Sequence, residues 1–375
     1  MAEEIVAKGL EGVVASETSL SFIDGQRGTL LYRGYSIHDL AEEASYPEAV
    51  YLLWRGELPV AEELEAFEET LAAERALDGR IVDILRSLPS SASPMAALRT
   101  AVSALGTLDP DAGDNAPDAN RRKATRLVAK FPTILATFHR LREGEEPVEP
   151  DPSLGHAENF LFMLRDEPPT DVEARALDTS LLLYLDHGLN ASTFTCRVIA
   201  STLSDLHSAV TGGIGALGGA LHGGANEKAM RMLLEIGDRE SAASWVERAL
   251  DEGQRIMGFG HRVYRTEDPR ATHLRSMSGE LTASLGEPKW HEIATTVEET
   301  MLDRKGIDCN VDFYCAPVYH TLGIPLDLYT PLFAAGRVGG WAGHVMEQHA
   351  DNRLIRPRAE YVGPAERSWV PLERR

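Results

Sequence analysis

Apolar residues along most of the chain recur with the three-to-four-residue spacing of α-helices. Residues 61–76 place Leu64 and Phe67 on one face and acidic residues on the other, which predicts an amphipathic helix. Further helices are predicted over residues 171–186, 193–210, 226–236, 241–250 and 289–305. Strand-like alternation is limited to about the first 35 residues and to 353–362. The pattern therefore predicts a mainly α-helical protein.

Residues that start and stop helices sharpen three of these boundaries. Thr170 and Glu173 have the spacing of a capping box at the start of the 171–186 helix. Asn226 is the expected N-cap of the helix that follows it. Gly306, preceded by two basic residues, is expected to end the 289–305 helix.

Glycine and proline mark two kinds of segment. Residues 108–120 and 143–153 are acidic and rich in breakers, so we expect surface loops, the first as a solvated insert. Glycine clusters at 212–224 and 336–343 have apolar neighbours, which indicates close packing or hinges. Residues 213–218 match GxGxxG, but a helix rather than a strand precedes them, so close packing is favoured over a dinucleotide site.

Charge excludes some partners. The 375 residues include 58 acidic and 37 basic side chains, giving a formal net charge of −21, which opposes binding to nucleic acids and anionic membranes. Only six of the basic residues are lysine. This combination suggests a heavily hydrated surface, as in salt-loving organisms, with an ordinary acidic protein from a GC-rich genome as the alternative.

Cysteine usage and the N-terminus bear on the compartment. The three cysteines contain no CxxC pair, so neither a disulfide scaffold nor a zinc ribbon is indicated. The first residues lack a basic start followed by an apolar core, and no apolar run approaches the roughly 20 residues of a membrane span. We therefore expect a cytoplasmic protein without a membrane segment.

Three histidines lie in glycine-rich or Asp-linked settings: His187 in LDHGLNAS, His222 in GALHGGANE and His261 in GFGHRVY. A single histidine is more often a packing or surface residue, but neighbouring glycines let a ligand approach the imidazole. Asp312, in CNVDFY, is either a helix cap or a partly buried base. These four side chains could instead bind a metal ion, although the spacing has no HxxxH or HxH clip.

Three arginines, Arg270, Arg337 and Arg356, stand beside small or apolar residues. Each alone could form a surface ion pair. Together they indicate a small polycarboxylate substrate, because a guanidinium binds a carboxylate through two parallel hydrogen bonds.

In chain order, GALHGGANE, GFGHRVY with DPR, and NVDFY resemble the citrate synthase family. LDHGLNASTF, AAGRVGGWAGH, RPRAEYVG and the opening segment from Gly9 to Glu42 are similar to it as well, so the resemblance covers almost the whole chain. The length resembles that of the shorter dimeric type found in archaea and many bacteria.

The resemblance implies a mainly helical homodimer whose subunits each have a large and a small domain, with the active site in the cleft between them. Residues 1–220 would form the first part of the large domain and 221–320 the small domain. Residues 321–375 would return to the large domain and end in an arm that reaches the partner subunit.

The resemblance also implies residue roles. Asp312 would be the base, His222 would stabilise the enolate of acetyl-CoA, and His261 would polarise the carbonyl of oxaloacetate. Oxaloacetate would also contact His187, Arg270 and Arg337, with Arg356 supplied across the dimer. The implied coenzyme A contacts are Arg265, Lys305, Asn310, Ile256, Met257, Gly258 and Gly260.

The implied reaction condenses acetyl-CoA, oxaloacetate and water to citrate and coenzyme A, the entry step of the tricarboxylic acid cycle. Acetyl-CoA is then a co-substrate, and neither a tightly bound cofactor nor a metal is expected. The nearest alternative is a 2-methylcitrate synthase that uses propionyl-CoA, because one methylene is discriminated by only about 1–3 kcal/mol. An inactive helical scaffold and a His/Asp metalloenzyme are more remote alternatives.

Overall fold

The computed structural model describes residues 7–375, and within that range the chain forms sixteen α-helices and one three-stranded antiparallel sheet. Strands β1–β3 are Ser21–Asp24, Thr29–Tyr32 and Tyr35–Ser36. Helices α1–α16 are Ile37–Glu43, Tyr46–Arg55, Ala61–Ala73, Gly79–Ser87, Pro94–Leu108, Pro117–Glu143, His156–Arg165, Asp171–Tyr184, Ala191–Ala200, Leu206–Leu217, Ala225–Ile236, Arg239–Asp251, Pro269–Ser284, Lys289–Lys305, Val311–Thr321 and Tyr329–Ala350. The predicted mainly α-helical fold is confirmed.

Several helix boundaries follow their capping residues. The capping box of α8 forms as predicted, with the backbone N–H of Thr170 donating to Glu173 at 2.8 Å. Helix α14 ends at Lys305, and Gly306 takes the left-handed conformation with φ 62°. The helices predicted over 61–76 and 241–250 are α3 and α12.

The single helix predicted over 193–210 is wrong, because the structure has α9 and α10 there with a break at 201–205. Asp205 starts the second helix by accepting a hydrogen bond from the backbone N–H of Ser208 at 3.0 Å, and Leu203 has a positive φ of 64°. The apolar periodicity runs through both helices and hides the break.

The predicted N-cap of α11 is also wrong. Gly224, with φ 84°, takes that position and Asn226 lies inside the first turn. The Asn226 side chain is buried and its amide donates to the carbonyl of Tyr329 at 3.4 Å. Tertiary contact thus overrides the local capping preference.

The predicted strands divide in the same way. The N-terminal signal is confirmed by β1–β3, whereas 353–362 contains no strand. In the described part of the chain this tail has no regular secondary structure and no sheet partner, with Tyr361 76% and Val362 89% exposed. A strand requires a neighbouring strand for its backbone hydrogen bonds.

Helix α16 lies at the centre of the core and packs on α6, α8, α9 and α10. Its glycines permit this packing, because a Cβ on Gly336 would lie 2.9 Å from the carbonyl oxygen of Leu181 and one on Gly340 2.1 Å from that of Leu185. Gly213 in α10 similarly lies against Cys196. Close packing is therefore the correct interpretation at these positions, and 213–217 is helix rather than a nucleotide-binding turn.

The acidic loop between α5 and α6, residues 109–116, lies at the surface as predicted, since none of its residues is buried, but basic side chains bind it. Arg126 donates to both carboxylate oxygens of Asp109 at 2.8 and 2.7 Å, and Arg122 pairs with Asp111. The buried Lys123 donates to the carbonyl of Asp114 at 2.5 Å. Basic residues of α6 therefore fix the loop. The other predicted loop is present at 144–155.

None of the helices described between residues 7 and 375 combines the length and apolar character needed to cross a bilayer.

Candidate active site

His222 lies in the turn between α10 and α11. Its Nε2 accepts a hydrogen bond from the backbone N–H of Ser192 at 3.1 Å and lies 2.8 Å from the Ser192 hydroxyl. Burial, with the nearby charge of Arg337, lowers the pKa of His222 to about 4. The imidazole is therefore neutral at physiological pH, and this hydrogen-bond pattern assigns its proton to Nδ1.

His261 has the opposite tautomer. Its Nδ1 accepts from the backbone N–H groups of Val263 at 3.0 Å and Tyr264 at 3.2 Å, which assigns the proton to Nε2. Burial and then the charge of Arg270 lower the pKa of His261 to about 4. This neutral ring is held by its own loop and can donate from Nε2.

His187 follows α8 and lies beside His261, with their ring centroids 5.1 Å apart. Its Nε2 lies 3.1 Å from the hydroxyl of Tyr264. Burial, followed by the charge of Arg270, lowers the pKa of His187 well below its ordinary value. Two segments distant in sequence thus bring two of the predicted histidines together.

Asp312 occupies the first turn of α15, where Asn310 caps the helix by accepting from the Asp312 backbone N–H at 3.0 Å. The Tyr184 hydroxyl donates to the Asp312 carboxylate at 3.1 Å. Burial raises the pKa of this carboxyl above its ordinary value. Asp312 and His222 line the same small cavity, which is completed by Gly223, Gly224, Asn226, Thr330 and Phe333.

Arg270 and Arg337 are both 2% exposed, but their partners differ. Arg270 forms two hydrogen bonds to the buried Asp268, at 2.9 and 2.8 Å. The Nε of Arg337 donates to the carbonyl of Tyr184 at 2.5 Å, and its guanidinium lies over the ring of Phe333.

Arg337 has no carboxylate within ion-pair distance among the residues that the structure describes. Burial lowers its pKa to about 10, so the side chain remains charged at neutral pH. A buried cation of this kind is suited to an anionic ligand.

Arg356 is not brought to these residues within one chain. It is exposed in the segment after α16, which has no regular secondary structure around it.

The residues predicted to contact coenzyme A form a second group. The loop containing Gly258 and Gly260 pairs with 308–310, since the Asn310 backbone N–H donates to the Gly258 carbonyl at 2.8 Å and its side-chain amide donates to Gly260 at 2.9 Å. Gly258 has φ 84°, and a Cβ there would lie 2.7 Å from Phe313. In the same region Ile256 is buried, Met257 is half-buried, and Arg265 and Lys305 are exposed.

Sequence reasoning missed the residues that hold these groups in place. Ser192, Tyr264 and Asp268 stand inside or beside the quoted motifs, so proximity to the histidines and to Arg270 was the available signal. Tyr184 gave no separate signal, because it lies within the apolar helix predicted over residues 171–186. Its carbonyl and hydroxyl contact Arg337 and Asp312 respectively.

No three His, Cys, Asp or Glu side chains between residues 7 and 375 are placed to hold a metal ion. The arrangement contains a carboxylate with raised basicity, two neutral imidazole donors and two buried arginines. These groups define a helical enzyme that could remove a proton next to a carbonyl group and bind a small dicarboxylate.

Comparison with known proteins identifies the family. The family model "Citrate synthase, C-terminal domain" matches residues 9–358. The chain is 52% identical to a citrate synthase of Haloferax volcanii, with 98% of each chain covered. It is 44% identical to 2-methylcitrate synthase 1 of Corynebacterium glutamicum, with both chains fully covered.

A solved structure gives the same result: the ternary complex of Thermoplasma acidophilum citrate synthase with carboxymethyl coenzyme A and oxaloacetate. Its TM-score is 0.91 at 37% identity, covering 98% of this chain and 99% of that one. The chain belongs to the citrate synthase family.

Proposed function

We propose that the protein condenses acetyl-CoA with oxaloacetate and water to give citrate and coenzyme A. The observation that carries this proposal is the cavity shared by Asp312 and the neutral His222, whose Nε2 accepts from Ser192 and leaves Nδ1–H as the donor. A base and a hydrogen-bond donor on one cavity are what enolisation of a thioester requires.

In the first step Asp312 takes a proton from the methyl group of acetyl-CoA. Its raised pKa makes the carboxylate a stronger base than an exposed aspartate. The negative charge moves to the thioester oxygen, where Nδ1–H of His222 donates a hydrogen bond. Tyr184 holds the carboxylate in place through its hydroxyl.

In the second step the enolate carbon attacks the keto carbon of oxaloacetate. Nε2–H of His261 donates to the keto oxygen and stabilises the developing alkoxide. Arg270, Arg337 and His187 bind the two carboxylates and fix the face that is attacked. Water then hydrolyses the thioester and releases coenzyme A. Its contacts are assigned to Arg265, Lys305, Asn310 and residues 256–260.

Closure of two domains over the substrates fits this chemistry, because closure excludes water from the enolate. We assign residues 221–320 to the small domain. The mutual packing of α11 with α15, α12 with α14, and α13 with α15 supports that assignment.

We also propose a cytoplasmic homodimer in which Arg356 enters the partner's site. The C-terminal segment after α16 carries exposed apolar side chains, including Trp369 at 80% exposure, which a second subunit would cover.

Mixing Asp312→Asn and Arg356→Ala subunits tests this arrangement. If Arg356 acts in trans, each heterodimer regains one intact site, and random mixing restores about a quarter of wild-type activity. If it acts in cis, no site is intact and activity stays at the level of the two separate variants.

Acyl-donor preference separates this function from that of a 2-methylcitrate synthase. We expect kcat/KM with oxaloacetate to be higher for acetyl-CoA than for propionyl-CoA. A clear preference for propionyl-CoA, with 2-methylcitrate as the product, would contradict the proposal.

A further inference from the structure

The N-terminal hairpin formed by β1 and β2 contacts the chain segment that carries His187 and the one that carries His261. We propose that this hairpin, residues 21–32, is a positioning element for oxaloacetate binding, with its base acting on His187 and its tip acting on His261. The inference rests on the proposed function, since it concerns the same substrate site. Hydrogen bonds hold both ends of the hairpin to these segments.

At its base the hairpin fixes Asp186, the residue before His187. The Ser21 hydroxyl donates to the Asp186 carboxylate, and the Tyr32 hydroxyl donates to the Asp186 carbonyl at 3.0 Å. Asp186 is fully buried and its other carboxylate oxygen lies 3.1 Å from Nε2 of His344. The backbone that presents His187 is therefore held by side chains of both strands.

At its tip the hairpin meets the loop that carries His261. The carbonyl of Gly25 accepts from the backbone N–H of Arg265 at 2.8 Å. A Cβ on Gly25 would lie only 2.2 Å from the carbonyl oxygen of Val263. Val263 and Tyr264 supply the two N–H groups that orient the His261 imidazole. The tip of the hairpin therefore contacts the backbone that holds this ring in place.

The hairpin is a continuous ladder between these two ends, with β1 paired to β2 from Ser21 with Tyr32 to Asp24 with Thr29. The adjoining helix α1 contacts the helix that carries Arg270. His38 Nδ1 of α1 lies 2.8 Å from Nε2 of His273 in α13, and Arg270 lies in the first turn of α13. Small displacements of substrate-binding groups can cost a hundredfold in rate. One element that braces both histidine segments would limit such displacements.

Gly25→Ala tests the tip. Its φ is not in the left-handed region, so the substitution acts through the collision with the Val263 carbonyl rather than through backbone strain. We expect the Kd and KM for oxaloacetate to rise about tenfold or more, together with a fall in kcat. The matched control is Gly79→Ala at the start of α4, where an added Cβ would have no atom within 4 Å. We expect wild-type kinetics for this control.

Unfolding midpoints distinguish positioning from support of the fold. A merely structural role would lower the midpoint of Gly25→Ala and leave the oxaloacetate KM of the folded molecules unchanged. A double-mutant cycle adds a second criterion: in a His261→Ala background, Gly25→Ala should weaken oxaloacetate binding little further, because its effect passes through that imidazole. A full additive loss would overturn the inference.

Ser21→Ala keeps the proposal testable if Gly25→Ala does not fold, because it removes one hydroxyl without adding bulk. We expect it to raise the oxaloacetate KM about threefold or more. Wild-type oxaloacetate binding in whichever of these variants folds would overturn the inference. Absence of citrate formation by the wild-type protein would instead refute the proposed function, which separates the two outcomes.

Discussion

Two basic regions of the molecule use their charge differently. In the N-terminal half of α6, Arg126 binds both oxygens of Asp109 and also contacts Asp111, so the charges of the acidic loop and the helix neutralise each other. In the candidate site Arg337 is buried, and no carboxylate between residues 7 and 375 forms an ion pair with it. The paired arginine stabilises the fold, whereas the unpaired one leaves its charge for a ligand.

Arg270 is an intermediate case. Asp268 fixes two of its nitrogens, which positions the guanidinium. Asp186, the acid whose charge most affects Arg337, is itself bound by His344 and Ser21. The carboxylates near Arg270 and Arg337, which are Asp268 and Asp186, therefore already have hydrogen-bond partners within the chain. In the proposed function, a carboxylate of oxaloacetate becomes the ion-pair partner that Arg337 lacks among residues 7–375.

The largest effect on activity is expected for Asp312, the proposed general base. Asp312→Asn should lower kcat by about 10²–10⁴-fold, because the amide cannot accept the methyl proton. Oxaloacetate should still bind with nearly wild-type Kd, since the contacts proposed for that substrate are made by the arginines and the histidines. Steady-state citrate formation and calorimetric titration measure the two quantities.

Asp303→Asn, on the exposed face of α14, is the matched control and should behave as wild type. If the Asp312 variant turned over at a near-normal rate, the base would have to be another residue.

Arg337→Met should separate binding from stability. Losing a charged partner for a substrate carboxylate should raise the oxaloacetate Kd about a hundredfold or more. The free energy of unfolding should stay the same or increase, because a buried cation without a carboxylate partner is replaced by an apolar side chain of similar volume. Calorimetry and denaturant unfolding check both parts. Strong destabilisation with unchanged oxaloacetate binding would mean that Arg337 is structural.

Arg126→Met should show the opposite division. It removes the two hydrogen bonds that Arg126 donates to the nearly buried Asp109, so the free energy of unfolding should fall by about 1–3 kcal/mol. The kinetic constants of the folded enzyme should not change. Arg99→Met on α5, an exposed arginine, provides the control for removing one surface charge. A kinetic defect without loss of stability would end the distinction between the two regions.

These regions also show what a sequence can and cannot predict. The residues of the candidate site stood in short blocks whose glycines and charges were visible, and α14 was bounded correctly by Gly306. The partners were not visible, because Tyr184 reaches Asp312 and Arg337 only after three helices pack.

The partners of the acidic loop were hidden for the same reason. Composition correctly predicted a surface loop, but it did not predict that Arg122, Lys123 and Arg126 of α6 would bind it. The break at 201–205 depends on one capping aspartate within a continuous apolar pattern. Local patterns therefore predicted most helices and several of their caps, whereas contacts distant in sequence decided which partners the site residues have.

Salt should produce the smallest effect on stability per residue. It should relieve the repulsion between like charges on the surface, and it should weaken the attraction within exposed ion pairs. The formal net charge of −21 makes the outer surface repel itself in dilute buffer. Raising KCl from 0.1 to 1 M shortens the screening length from about 10 to 3 Å, which should raise the midpoint of unfolding.

Screening should also weaken the partly exposed pairs of the acidic loop, so the stability difference between wild type and Arg126→Met should shrink. The buried Arg337 is screened much less, and the binding defect of Arg337→Met should persist at 1 M KCl. Unfolding and oxaloacetate titrations across the salt series test these expectations, and an enzyme equally stable in dilute buffer would leave the acidity without this explanation.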